Sequence, residues 1–182
     1  VTLHREDGKW TDESQTFEEW IAKYQKVAEG YVPQWVEAVK AQFGKEGTKY
    51  ACVGYCFGAP YVLEALTPGP NGEPPLCAAG AFAHPAFLTE KHFAEVRNPL
   101  FLSCAETDFT FGTEMRNRAV DLLREGGKSY QVQLFSGVSH GFALRCDLEN
   151  GYEREVKERS AEGMTRWWDF WLGVKDEEKE GK

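Results

Sequence analysis

Apolar and polar positions along the chain change period several times, and each change predicts an element. Residues 1–15 are polar and follow no period. Thr16 with Glu19 three residues later reads as a capping box, and behind it Phe17, Trp20, Ile21, Tyr24 and Val27 recur at helical spacing. Gly30 is expected to end this helix and Pro33 to open a second one. That second stripe is Val32, Trp35, Val36, Val39 and Phe43, and it stops at Gly44 and Gly47.

From residue 48 the pattern shortens. Residues 48–53 read as a strand, followed by Gly54-Tyr55-Cys56-Phe57-Gly58 and a helical run over 59–66. The Pro- and Gly-rich stretch at 68–75 breaks the chain too briefly for a domain linker. Residues 76–82 are small and apolar throughout, as in a strand covered on both faces. His84-Pro85 reads as a turn, Thr89 caps a short helix reaching Val96, and 100–104 form another buried strand.

A helix over 115–123 is closed by Gly126 and Gly127. In the strand 130–135, Tyr130, Val132 and Leu134 alternate with Gln131 and Gln133, which predicts one drier face, and a loop follows over 136–141. The last helix, about 152–172, turns Tyr152, Val156, Met164, Trp167, Trp168 and Trp171 inward, so the tryptophans read as core. Alternating strands and helices without a repeat predict an α/β fold, a mainly parallel sheet flanked by helices. One domain is expected over residues 1–175, with a disordered mixed-charge tail at 176–182.

Composition narrows the function. Of 182 residues, 42% are hydrophobic and 14% aromatic, enough for a sizeable core. Twenty-nine acidic against 21 basic side chains leave a net charge of −8, which opposes nucleic acid. No apolar run of about 18 residues is present to span a bilayer, and the start, Val1-Thr2-Leu3-His4-Arg5, lacks the apolar core of a signal peptide. The five cysteines include no C-x-x-C pair, so neither a disulfide framework nor a zinc site is suggested. The expectation is a soluble, cytoplasmic protein with reduced thiols, monomeric or weakly dimeric, with no metal, nucleic-acid or membrane partner.

The chemistry concentrates in three places. Gly54-x-Cys56-x-Gly58 matches the nucleophile elbow, with Cys in place of Ser, between a predicted strand and a predicted helix. Such a bend lifts one side chain above the sheet, and a flanking glycine removes a β-carbon that would clash. A helix start favours thiolate, and the Phe57 N–H is placed to face a developing oxyanion. A buried cysteine between two glycines is the plain alternative.

Asp108 follows the end of one predicted strand and His140 lies in the loop after the next. All three side chains can therefore meet at the carboxyl edge of one sheet, in the order Cys, Asp, His. Glu106 rivals Asp108 as the acid. His84 also lies at this edge but reads as a turn residue before Pro85. Cys52, Cys77, Cys104 and Cys146 read as core or surface thiols.

With these residues in view, the chain resembles the dienelactone hydrolase family, its fungal branch in particular. The resemblance rests on Gly54-Tyr55-Cys56-Phe57-Gly58-Ala59, Ala83-His84-Pro85-Ala86-Phe87, Glu106-Thr107-Asp108 and the stretch from Ser136 to Arg145, and runs from about Phe17 to Trp171. It implies a cofactor-free α/β-hydrolase in which Cys56 attacks a small lactone or ester, His140 is the base and Asp108 steers the imidazole. Tyr55, Phe57, Phe142 and Arg145 are the implied substrate contacts. In the bacterial pattern the arginine falls one residue nearer the histidine, so a solvated Arg145 stays open beside the binding role.

The family pattern also places several strands, a second oxyanion loop and a thiol-controlling Glu ahead of the elbow. None is recognisable before Cys56, so an N-terminally truncated domain is expected. Two other functions stay open on this reading: a non-catalytic hydrolase-fold binding domain and a redox-sensing thiol.

Overall fold

A computed structural model describes residues 16–174 together with the backbone of residues 5–6 and 9–10. The expected tail at 176–182 lies outside the described residues. The chain divides into two compact units between Thr48 and Lys49.

The first unit contains a two-stranded antiparallel ribbon, β1 (Arg5–Glu6) with β2 (Lys9–Trp10), and the helix α1 (Phe17–Phe43). The capping box is present: Thr16 Oγ1 accepts from the Glu19 N–H at 3.2 Å, and Glu19 Oε2 accepts from the Thr16 N–H at 2.7 Å. One helix replaces the two expected, with Pro33 inside it. Proline at that point deletes one backbone bond, and Gly30 weakens the turn by about 1 kcal/mol. The polar face continues across both residues, and Gln34 Nε2 adds a bond to the Gly30 carbonyl at 2.8 Å. Half-buried Trp20, Ile21, Tyr24, Val32, Val36 and Val39 carry the apolar stripe through the junction, whereas Trp35 and Phe43 are exposed.

The second unit is a four-stranded parallel sheet in the order β3 (Ala51–Tyr55), β4 (Ala79–Ala83), β5 (Leu100–Thr107), β6 (Tyr130–Ser139). A single 3-10 turn, Cys56–Gly58, leads from β3 into α2 (Ala59–Ala65). Helices α3 (Glu90–Glu95), α4 (Thr113–Glu125) and α5 (Gly151–Leu172) complete it.

Strand alternation sorts the core into two layers. Phe82, Leu100, Leu102 and Cys104 face α2, α3 and α4 through Val62, Leu63, Phe93, Ala119 and Leu123. Ala81, Ala83, Phe101 and Ala105 face α5 through Val156 and Met164. Ser103, buried on the α5 side, bonds Ser160 at 2.7 Å, which satisfies both hydroxyls.

Two glycines set how closely α2 approaches the sheet. A Cβ on Gly80 would lie 2.7 Å from a Val62 methyl and 2.8 Å from Leu66, and one on Gly54 would run into the Gly58 carbonyl. Two inward assignments and one element boundary in this unit differ from expectation. Tyr152 is half exposed and its hydroxyl donates to the Ser136 carbonyl at 2.8 Å, because it opens α5 beyond the sheet-covered part. Leu134 is 51% exposed, since β6 is the outer strand of the described sheet and has a strand neighbour on one side only. Residues 136–139, expected as loop, extend β6 past a register shift opposite Ala105 and Thr107.

Candidate active site

The site is assembled where β3, β5 and β6 end. Cys56 follows β3 directly with φ 50, the left-handed region that a residue with a Cβ enters only under constraint. The turn is held on one side by Gly54, which admits the Gly58 carbonyl, and on the other by the Ala86 N–H, which donates to the Cys56 carbonyl at 3.1 Å. Of the two elbow glycines only Gly54 is sterically required, because nothing lies within 4 Å of a Cβ built on Gly58.

His140 enters from the end of β6, its N–H donating to the Thr107 carbonyl at 3.1 Å. Its Nε2 lies 3.2 Å from Cys56 Sγ, and its Nδ1 lies 2.9 and 3.0 Å from the two oxygens of Asp108. With a carboxylate as acceptor, Nδ1 is the donor and Nε2 faces the sulfur.

Asp108 is fixed in turn. Its Oδ1 accepts from the Thr110 N–H at 2.9 Å and the Phe111 N–H at 3.1 Å. Thr110 Oγ1 stands 2.7 Å from the same oxygen, 2.8 Å from the Pro85 carbonyl and 3.0 Å from His140 Nδ1, and its one proton serves one acceptor at a time. Glu106 turns elsewhere, accepting from the Gly137 N–H at 2.8 Å.

These contacts shape the ionisation. The hydrogen bond that His140 donates to Asp108, then that to Cys56, raises its pKa to about 9 against the opposing effect of burial. The Cys56 thiol is held below its ordinary value first by the His140 hydrogen bond; burial opposes, while the imidazolium charge, the Phe57 N–H and the Arg145 charge assist. Burial is the largest influence on Asp108 and pushes its pKa up, but the bonds from His140 and Thr110 outweigh it and the net shift is down. Both shifts favour a thiolate facing an imidazolium over the neutral pair, and one hydrogen bond joins Sγ to Nε2.

The other expected contact residues are placed differently from one another. Phe57 is half-buried, 5.9 Å from Phe87 and 5.8 Å from Tyr61 between ring centroids. Tyr55 is half-buried at the end of β3, against the α5-side core and 5.9 Å from the His84 ring. Phe142 is buried in that same core, where it packs on His84 and Phe135 and presents little surface to a ligand. Arg145 is exposed and lies over Gly141, whose φ of 96 bends the chain back toward it.

Two residues not singled out from the sequence, Thr110 and Phe109, join the site, and His84 takes a different place from the one expected. Thr110 braces Asp108, and its position two residues after an Asp in a turn was the available signal. His84, expected as a turn residue before Pro85, is fully buried with φ 36 and packs on His140. Phe109 touches the His140 ring with centroids 5.0 Å apart, a neighbour that no spacing rule marks.

A model of the dienelactone hydrolase family matches residues 3–171. The chain belongs to the dienelactone hydrolase family. Among its relatives, Dienlactone hydrolase 1 of Gibberella moniliformis is 39% identical over 154 residues, 84% of this chain and 57% of the relative. Dienlactone hydrolase 2 of the same organism is 35% identical over 166 residues, 91% of this chain and 59% of the relative. This dienelactone hydrolase family chain therefore spans less than two thirds of the length of either.

Solved structures agree on the fold. A dienelactone hydrolase-like promiscuous phosphotriesterase from metagenomic libraries superposes with a TM-score of 0.62 at 20% identity, over 91% of this chain and 71% of its own. An esterase of Thermogutta terrifontis gives 0.55 at 15% identity, over 72% of this chain and 61% of its own. The described parallel sheet and its helices are an α/β-hydrolase fold.

Proposed function

We propose that this chain carries the catalytic centre of a cysteine-dependent hydrolase of small lactones or esters, carboxymethylenebutenolidase-like, working through an acyl-enzyme on Cys56. The observation that supports it is the 3.2 Å approach of Cys56 Sγ to an imidazole whose other nitrogen is bonded by Asp108.

The thiolate attacks the carbonyl carbon, a C–S bond forms, and the carbonyl electron pair moves to oxygen near the Phe57 N–H. Collapse breaks the C–O bond, and His140 Nε2 passes its proton to the departing oxygen. The acyl group is then a thioester on Cys56. No thiolate now faces His140, so one of the two bonds that raised its pKa is gone and the neutral imidazole is more accessible as a base. Water gives Nε2 a proton as it attacks the thioester carbonyl. The C–S bond breaks, the acid leaves, and the thiolate–imidazolium pair is restored.

Asp108 holds the tautomer and the cation throughout. Phe57 and Tyr55 border the elbow and are the nearer candidates for substrate contact, and the Arg145 charge suits an anionic substituent. Cys52, Cys56, Cys77, Cys104 and Cys146 are all free thiols, which supports a reducing, cytoplasmic setting. Each step draws only on these side chains and water.

The test is hydrolysis of an activated acetyl ester by wild type, Cys56→Ala and His140→Ala, with intact mass followed in parallel. Loss of turnover by about 10³-fold in both variants, with an acetyl adduct on Cys56 in wild type, is the expected result. Wild-type rates in either variant overturn the assignment, and no adduct at all leaves a binding domain as the better reading.

A further inference from the structure

We propose that Phe109 determines specificity on the leaving-group side of this site, favouring flat aromatic leaving groups; the inference rests on the hydrolase reading above. Phe109 is 87% exposed, although it stands in a short, tightly held segment. Asp108 before it and Phe111 after it are 7% and 1% exposed, and the Asp108 carboxylate accepts the Thr110 and Phe111 N–H groups that close the turn. The carboxylate that steers His140 therefore also presents the Phe109 ring to solvent.

That ring stands beside the proton-transferring imidazole, 5.0 Å between centroids and tilted by 54°. In acylation His140 Nε2 gives its proton to the leaving oxygen, so the leaving group must come within hydrogen-bond reach of that nitrogen. A group placed there borders Phe109. The benzyl side chain also lines an open cleft of about 610 Å³ with Thr110, Gly112, Met115 and Arg118, so one part of the ring borders free space next to the imidazole it packs on.

An apolar ring kept wet beside the reacting atoms loses its exposed surface when a flat leaving group covers it. A flat π-system adds offset or edge-to-face attraction that a saturated group of equal size does not supply. Because the contact forms with the leaving group, it acts on acylation and not on release of the acid.

The experiment measures the rate of Cys56 acetylation, by intact mass under single-turnover conditions, with phenyl acetate and hexafluoroisopropyl acetate. Their leaving groups are of comparable acidity, but only one is a flat ring. In Phe109→Ala the rate with phenyl acetate is expected to fall about three- to tenfold relative to that with the fluoroalkyl ester, and Phe109→Tyr to restore the wild-type ratio. An unchanged ratio in Phe109→Ala overturns the inference and leaves the hydrolase reading standing. Absence of acetylated Cys56 with both esters in wild type overturns both.

Discussion

The imidazole of His84 meets that of His140 in a T-shaped contact, the ring centroids 5.1 Å apart. His84 is fully buried, and among the described residues neither of its ring nitrogens finds a hydrogen-bond partner beyond the residue's own backbone. Burial, followed by the charge on His140, lowers its pKa to about 4. Across the range in which His140 is a cation above pH 4, His84 is thus a neutral aromatic neighbour, and two positive rings do not face each other.

This has a consequence for stability. The ordinary value of 6.5 lies above the folded-state value of about 4, so on acidification the unfolded chain binds the proton first. Stability should fall between pH 6.5 and 4, by at most about 3 kcal/mol from this residue, and lose nothing further from it below pH 4. His140 acts in another window: its raised value stabilises fully below 6.5, and that contribution is lost as pH rises through about 9. Urea unfolding of His84→Phe at pH 4 to 8 should show a shallower acid limb than wild type; parallel curves would refute the assignment.

The thiolate–imidazolium pair should be visible by alkylation. Cys56 is expected to react with iodoacetamide at a lower pH than an ordinary thiol does, whereas burial pushes Cys104 up to about 12. Cys52 is raised too, first by its hydrogen bond with Cys77 and then by burial. In His140→Ala the midpoint for Cys56 should move upward, since its largest lowering influence is removed. Identical midpoints in the two proteins would show that His140 does not ionise the thiol.

The elbow glycines should separate cleanly. Gly54→Ala forces a Cβ into the Gly58 carbonyl and is expected to cost about 1–3 kcal/mol or to prevent folding. Gly58 has φ −78 and open space around it, so Gly58→Ala should stay within about 0.5 kcal/mol of wild type. Chemical denaturation of both variants decides this, and equal losses would contradict it.

The two acidic residues at the end of β5 should differ as sharply. Asp108→Asn leaves the shape but gives His140 a poorer and ambiguous acceptor, and an acylation rate lower by about 10²–10⁴-fold is expected. Glu106→Gln keeps an acceptor for the Gly137 N–H and should change the rate by less than about threefold. The same ester kinetics test both, and the reverse order would make Glu106 the steering acid.

Local pattern was enough for much of this molecule. The Thr16–Glu19 box, the strand–turn–helix around Cys56 and the last helix were all legible, because capping, steric demand at a tight bend and helical periodicity are set within a few residues. The same locality misled at Gly30 and Pro33. Both are breakers by intrinsic preference, and a continuous apolar stripe on either side overrides them.

Chain order and element type already pointed Cys56, Asp108 and His140 to one sheet edge; what only the tertiary structure decided are their distances, which carboxylate meets the imidazole and which further side chains pack on it. Cys56 and His140 are 84 residues apart and His140 and Asp108 are 32 apart, and the parallel alignment of β3, β5 and β6 brings their ends to one edge. The choice between Glu106 and Asp108 depends on the register shift at Ala105 and Thr107, where one carboxylate bonds the Gly137 backbone and the other continues to the imidazole. His84 and Phe109 became neighbours of His140 by packing alone. The amino-acid pattern determines the elements because their hydrogen bonds and periodicities are local; long-range strand pairing selects the partners, through contacts that sequence spacing does not encode.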